Sequence, residues 1–167
     1  MGNTLENLHG AFAGESKASR KYVYFAEKAE KDGYSQISRL FRAVSEAETV
    51  HARNHLESMG GIGTTNGNLE TAIEMEHYEF TTMYPGFIEQ SKSDNDQMAE
   101  TSFTYANQVE KIHHSLYQDA LKAVGAGQSL KDEPYFVCQV CGNTVAGGAP
   151  ETCPICGTSR SKFKRVE

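Results

Sequence analysis

The chain has 167 residues, a net charge of −6, and lysine and arginine residues scattered singly along it. Such a chain is a poor candidate for binding nucleic acids or anionic membranes, because both partners require clustered basic side chains. No run approaches about 18 consecutive apolar residues, and the first residues lack the basic patch and apolar stretch of a signal peptide. We therefore expect a cytoplasmic protein with neither nucleic-acid nor membrane partners.

Histidines and cysteines lie in different parts of the chain. All four cysteines lie between Cys138 and Cys156, whereas every histidine lies at or before His114. In a reducing compartment, cysteines are more often metal ligands than disulfide partners. We predict a helical domain over residues 1–125, a linker over residues 126–134 and a small cysteine domain over residues 135–167.

The first two predicted elements are amphipathic helices with apolar residues at helical spacing. The first begins after Asn3, which is a predicted N-cap because Glu6 follows three residues on, and it ends at Lys31-Asp32-Gly33. The second ends near Met59. A connection of about Gly60–Asn68 then leads to the third helix, and such a connection is short for joining two parallel helices of a bundle.

The third and fourth predicted helices have the same apolar periodicity. The third contains Pro85, which is expected to kink it rather than end it. The fourth follows the polar stretch of residues 93–96. We therefore predict four helices before the linker.

Each predicted apolar stripe is interrupted by carboxylate or imidazole side chains. These residues are Glu15, Glu48, His51, Glu76, Glu79, Glu110 and His113. Ionised carboxylates are rarely buried without partners, because their desolvation is costly. Residues three apart share a helix face, so each Glu-x-x-His pair can direct two ligands to one place.

This ligand set predicts the fold class and the metal. One Glu from each of two helices, together with Glu-x-x-His from each of the other two, is the ligand set of ferritin-like di-iron and di-manganese proteins. The sequence contains this set and one additional Glu. We predict a mainly α fold, in which a ferritin-like four-helix bundle that holds iron or manganese precedes a small metal-knuckle domain.

The knuckle contains two Cys-x-x-Cys-Gly turns. Their cysteines are Cys138, Cys141, Cys153 and Cys156. Two residues between cysteines let both thiolates face one ion, and the following glycine permits a positive φ that turns backbone N–H groups toward sulfur. The spacing predicts a four-cysteine metal site but leaves iron and zinc open, because a zinc ribbon uses the same spacing.

The whole pattern resembles the rubrerythrin family over nearly the full length of the chain. The resemblance rests on the segments Ala11–Ser16, Glu48–His51, Glu76–Glu79, Met83–Pro85 and Glu110–His113, and on the terminal cysteines. It implies a non-haem di-iron peroxidase that reduces hydrogen peroxide to water in oxidative-stress defence. It also implies a rubredoxin-like Fe(Cys)4 site, which favours iron over zinc in the knuckle and relays electrons from an external NAD(P)H-dependent reductase or rubredoxin.

The resemblance assigns ligand roles by position. Glu48 and Glu110 are implied to bridge two irons. Glu15 is implied to bind one iron, and Glu76 with His113 the other.

The remaining assignments concern the catalytic side chains. Glu79 and His51 are implied to be alternative ligands of the first iron. Tyr22 and Tyr84 are implied to donate hydrogen bonds to ligand carboxylates.

Three other functions share parts of this pattern. An iron-oxidising or iron-storage protein needs no electron-transfer domain, an electron carrier needs no helical ligands, and a zinc-ribbon scaffold has no redox activity. The short connection between the second and third helices favours a homodimer, in which helices one and two of one chain can combine with helices three and four of another.

Overall fold

The computed structural model describes residues 3–167 of the chain, so residues 1 and 2 of the predicted helical domain lie outside the description. The chain forms two compact units, one that ends at Gly63 and one from Thr64 to Glu167. This division falls inside the predicted helical domain, so the limits 1–125, 126–134 and 135–167 stay predictions. None of the helices in the described part is long and apolar enough to cross a bilayer.

The first unit consists of two helices, α1 (Thr4–Lys31) and α2 (Ser35–Ser58). The predicted capping box is present, since the Asn3 side chain accepts from the Glu6 amide and the Glu6 carboxylate accepts from the Asn3 amide, both at 3.0 Å. These bonds satisfy two backbone groups that a helix start leaves unpaired. Residues 32–34 then connect α1 to α2.

Small residues form the contact between α1 and α2. The buried residues of the two helices are Ser19, Ala26, Ala29, Ser38, Ser45 and Ala52. The Ser19 hydroxyl lies 2.9 Å from the Thr49 hydroxyl, and the Ser45 hydroxyl donates to the Ser19 carbonyl at 2.9 Å. Larger apolar residues of the predicted stripes are exposed within the single chain, among them Phe25 at 46% and Leu40 at 61%.

The helical part of the second unit is built from α3 (Thr65–Tyr78), a π-helical segment (Glu79–Met83), α4 (Tyr84–Ser93) and α5 (Gln97–Gly125). The third predicted helix therefore spans residues 65–93 without a break, and the π segment is a wider turn in its middle. The Tyr84 amide closes this turn by donating to the Glu79 carbonyl. Pro85 follows directly. Because proline has no N–H and its ring crowds the preceding turn, a wider turn before it accommodates the ring.

The connection between α2 and α3 is shorter than the sequence predicts. Residues 65–68 belong to α3 rather than to the connection, because the Thr64 side chain caps that helix by accepting from the Gly67 amide at 3.2 Å. The connection therefore runs from Met59 to Thr64, and the predicted range Gly60–Asn68 was wrong at its end.

The second unit ends in a small antiparallel sheet of β1 (Tyr135–Cys138), β2 (Thr144–Ala146) and β3 (Phe163–Val166), in the order β2-β1-β3. Val137 pairs with Thr144 between β1 and β2, and Cys138 pairs with Phe163 between β1 and β3. The predicted mainly α fold class, in which a helical part precedes a small knuckle domain, is confirmed by this architecture.

Candidate metal centres

The first unit brings one group of predicted ligands together. Glu15 on α1 and Glu48 and His51 on α2 can place one ligand atom each within 4.8 Å of one another. His51 Nδ1 lies 2.8 Å from Glu48 Oε2, as expected for residues three apart on one helix. Glu15 and Glu48 are half-buried, whereas the His51 side chain is 54% exposed. Two carboxylates and an imidazole held this closely form a donor set suited to iron or manganese.

The second unit contains a matching group. Glu76 on α3 and Glu110 and His113 on α5 also place ligand atoms within 4.8 Å of one another, and all three residues are half-buried. His113 Nδ1 lies 2.7 Å from Glu110 Oε2 and 3.9 Å from Glu76 Oε2. Each unit therefore has a single Glu on one helix and a Glu-x-x-His pair on another. We call these two groups the Glu15 triad and the Glu76 triad.

The electrostatics of the Glu76 triad favour a bound cation. Burial, a hydrogen bond to Glu110 and the charge of Glu110 raise the pKa of Glu76 to about 7. Burial opposes ionisation of Glu110 too, but hydrogen bonds from His113 and Glu76 outweigh it and lower the pKa of Glu110. The hydrogen bond to Glu110 raises the pKa of His113. Burial and the neighbouring charge of Glu110 therefore disfavour the ionised form of Glu76 unless a cation is close, so these residues fit a metal ion.

The remaining predicted site residues lie outside the two triads. Glu79 is half-buried at the start of the π segment, and burial together with the charge of Glu110 raises its pKa. Tyr84 follows that segment, and burial with the charges of Glu110, Glu79 and Glu76 raises the pKa of its phenol. Tyr22 belongs to the first unit, where its ring packs near those of Phe25 and Phe41.

The four cysteines converge on one point in the knuckle. Cys138 and Cys153 are buried, and all four are free thiols. The sulfurs of Cys138 and Cys156 lie 3.7 Å apart, and those of Cys141 and Cys153 lie 3.6 Å apart. A disulfide would require about 2.05 Å. A tetrahedral ion with sulfur ligands at about 2.3 Å has edges of about 3.8 Å, so the four sulfurs fit a tetrathiolate ion.

The backbone of the knuckle is shaped by the two predicted glycines. Gly142 and Gly157 have φ angles of 84° and 74°, a region that L side chains rarely adopt. Their amides donate to the carbonyls of Cys138 and Cys153 at 2.9 Å. Burial would raise the pKa of Cys153, but hydrogen bonds from the Cys156 and Ile155 amides outweigh it and lower this pKa to about 7. The loop amides thus stabilise the thiolate of Cys153, the form that binds metal, whereas burial raises the pKa of Cys141 and Cys156.

Two residues of this region have roles that sequence reasoning missed. Asn143 is 1% exposed, and its side-chain amide donates to Cys153 Sγ at 3.7 Å. Thr144 Oγ1 lies 3.0 Å from His113 Nε2. No pattern in the sequence distinguishes these two polar residues from others near a turn. The first contact depends on how the two loops of the knuckle pack together, and the second on how the knuckle lies against α5.

The Asn143 contact predicts an effect on the reduction potential of the iron that the sequence resemblance implies for the knuckle. A hydrogen bond to sulfur stabilises the more negative, ferrous state, so Asn143→Leu should lower the potential. Protein-film voltammetry or a dye-linked titration measures this shift. Gln139→Leu is the matched control, because the Gln139 amide donates to the Val137 carbonyl instead of to a sulfur. Equal potentials for Asn143→Leu and the wild type would show that the amide does not act on the iron.

The helices, the two Glu/His triads and the four-cysteine knuckle define a class, that of ferritin-like di-iron proteins with an added rubredoxin-like domain. The family model described as rubrerythrin matches residues 6–121, and the model described as the rubrerythrin rubredoxin-like domain matches residues 136–164. The chain belongs to the rubrerythrin family. Its cofactors are accordingly a di-iron centre in the helical part and one iron in the four-cysteine site.

Individual relatives cover nearly the whole chain. Rubrerythrin-2 of Clostridium acetobutylicum is 35% identical over 96% of this chain and 95% of its own length. Nigerythrin of Nitratidesulfovibrio vulgaris is 32% identical over 98% of this chain and 86% of its own length. A solved structure of nigerythrin in its fully reduced, all-ferrous state covers 99% of this chain and 88% of its own, with a TM-score of 0.57 and 33% identity. The family is one of di-iron oxidoreductases linked to oxidative-stress defence.

Proposed function

We propose that this protein is a peroxidase that reduces hydrogen peroxide to water at its di-iron centre, with electrons relayed through the rubredoxin-like iron. One observation carries the proposal: the unit Thr64–Glu167 contains both the Glu76 triad and the four cysteines, and His113 of the triad is hydrogen-bonded to Thr144 of the knuckle. An iron-storage protein has no need of such a link, and a simple electron carrier has no need of the triads.

The proposed ligands follow the resemblance and the two triads. Glu48 and Glu110 would bridge the irons, Glu15 would bind one iron, and Glu76 with His113 would bind the other. When bound, the iron pair supplies the two electrons that cleave the O–O bond of peroxide.

Glu79 and His51 are proposed as alternative ligands of the first iron, and Glu79 also as a proton donor. Burial and the charge of Glu110 raise the pKa of Glu79, the direction that supports the second role. A Glu79→Ala protein that turned over peroxide at the wild-type rate would exclude both roles for Glu79. Tyr22 and Tyr84 are proposed to position ligand carboxylates.

The electrons are proposed to come from an external NAD(P)H-dependent reductase or a rubredoxin, since each peroxide requires two electrons and the knuckle iron holds one at a time. We place the protein in the cytoplasm, where reducing conditions keep the four cysteines available for iron.

The assembly is proposed to be a helix-swapped homodimer. If Glu48 and Glu76 met at one level on parallel helices, the end of α2 and the start of α3 would lie about 30 Å apart along the bundle, at a rise of about 1.5 Å per residue. The connection Met59–Thr64 reaches at most about 25 Å when fully extended. We therefore propose that the Glu15 triad of one chain completes its bundle with the Glu76 triad of a second copy.

The exposed apolar side chains of α1 and α2 support this assembly. Leu5, Phe25, Ile37 and Leu40 are each between 46% and 61% exposed in the single chain. Large apolar side chains left exposed on one helix pair indicate an interaction surface, and burying them offsets the entropy lost on association. The second copy of this chain is the proposed partner.

Rapid mixing of the reduced protein with hydrogen peroxide tests the peroxidase proposal. Iron analysis should give about three irons per chain. After mixing, the visible absorbance of the oxidised Fe(Cys)4 site should return rapidly, because peroxide reoxidises the reduced protein. Reduced, iron-loaded protein that stayed reduced in peroxide but consumed dioxygen with added ferrous iron would instead indicate an iron-oxidising protein.

A further inference from the structure

We propose that Thr144 is a positioning residue that fixes His113 for iron binding and joins it to the four-cysteine loop. Thr144 is the first residue of β2 and is half-buried. Its hydroxyl lies 3.0 Å from His113 Nε2, and the same hydroxyl donates to the Gly142 carbonyl at 3.0 Å. The Gly142 backbone also interacts with His113 and, after Glu110, contributes to its raised pKa, so Thr144 and this carbonyl together face the imidazole. This inference rests on the proposed function, because it assigns His113 to the iron centre.

The directions of the two hydrogen bonds determine the tautomer of His113. The Thr144 hydroxyl has one hydrogen, and it is donated to Gly142, so Thr144 Oγ1 accepts from His113 Nε2. The Nε2 atom of a metal-bound, neutral imidazole must then hold the ring hydrogen. Nδ1, which lies 2.7 Å from Glu110 Oε2, is left with a lone pair directed toward the carboxylates. This is the nitrogen that an ion in the Glu76 triad would require.

Packing holds this arrangement in place. Val109 on α5 is 2% exposed, and a β-carbon added to Gly142 would lie 3.8 Å from its Cγ1 atom. The loop after Cys141 is therefore pressed against α5 one turn before His113. Cross-strand pairing of Thr144 with Val137 fixes the start of β2. Thr144 can thus hold the histidine only while the knuckle loop is folded.

The same atoms form a short connection between the two candidate metal sites of this unit. It runs along the backbone from Cys141 to the Gly142 carbonyl, and then through two hydrogen bonds to His113. The four cysteines would hold an iron that supplies one electron at a time, and Glu76, Glu110 and His113 would hold an iron that receives it. Two such transfers, with two protons, balance the conversion of one hydrogen peroxide to two waters.

Thr144→Val, Thr144→Ala and Thr144→Ser in the full-length protein test this role. The valine and alanine variants lack the hydroxyl, and the serine variant retains it. Competition titration with ferrous ion should show that the affinity of the helical centre falls by about tenfold or more in Thr144→Val and Thr144→Ala. Thr144→Ser should bind ferrous ion nearly as tightly as the wild type. Thr101→Val is the control, because it removes an exposed hydroxyl from α5, the helix that contains His113, and it should bind ferrous ion like the wild type.

The second readout is the rate at which peroxide reoxidises the reduced Fe(Cys)4 site. We expect about a tenfold decrease in Thr144→Val and recovery in Thr144→Ser, with an unchanged Fe(Cys)4 spectrum in both. Wild-type ferrous affinity in Thr144→Ala, which adds no bulk that could hinder folding, would overturn the inference. Ferrous binding is measured without peroxide. If the wild-type protein is inert to peroxide, the proposed function is contradicted, but the ferrous affinities of the Thr144 variants still decide the role of Thr144.

Discussion

Glu110→Gln is expected to remove the two irons of the helical centre and to lower peroxide reduction by about 100-fold or more. Glu110 lies within ligand distance of both Glu76 and His113, and hydrogen bonds from these two residues outweigh burial and keep its carboxylate ionised. A neutral amide has no charge to offset a cation, and it also removes the proposed bridge between the irons. Loss of an outer hydrogen-bond partner alone typically lowers metal affinity or activity about 10- to 100-fold, and loss of a direct ligand should do more.

Iron analysis and stopped-flow absorbance measure this effect. The iron content should fall from about three to about one per chain, because the four-cysteine site does not depend on Glu110. Glu100→Gln is the matched control: Glu100 is on the same helix α5, its side chain is 30% exposed, and its contact is with Lys92 at 3.7 Å. Full iron content and wild-type turnover in Glu110→Gln would refute the proposed centre.

A mixed dimer of Glu48→Gln chains and Glu110→Gln chains is expected to regain about half the wild-type activity, although each variant alone is inactive. In a helix-swapped dimer, one bundle receives both substitutions and the other receives neither. Without the swap, each bundle contains one substituted carboxylate, and no activity returns. Co-expression with two different affinity tags allows the mixed dimer to be purified and its peroxide turnover measured.

The reciprocal mixed dimer is the control for this experiment. A wild-type chain paired with a Glu48→Gln/Glu110→Gln chain should be nearly inactive if the helices are swapped, because each bundle then contains one substituted carboxylate. The same dimer should have about half the wild-type activity if each chain forms its own bundle. The two mixed dimers therefore give opposite results under the two assemblies, and a fully monomeric protein would refute the proposed dimer.

The helical elements and the cysteine geometry were predictable because they depend on neighbours in sequence. The Asn3–Glu6 capping box and the ends of α1 follow from local hydrogen bonding and helix-breaking residues. The positive φ values of Gly142 and Gly157 follow from the Cys-x-x-Cys-Gly spacing, which requires a turn around a common point. The Glu-x-x-His pairs likewise meet through their spacing of three residues, and in each pair the imidazole Nδ1 lies within 2.8 Å of the carboxylate.

Contacts between distant segments were decided only by the tertiary structure. Helical periodicity marks an apolar stripe but does not tell which partner covers it, so it could not predict that small residues such as Ser19 and Ser45 form the α1–α2 contact. The π segment before Pro85 arises because a helix can widen as well as bend around a proline ring. The link from His113 to Thr144 spans 31 residues and depends on how the knuckle lies against α5, which no local pattern records. The sequence by itself therefore determined the ligand types and their spacing, whereas the packing of separate elements decided which ligands meet and what holds them.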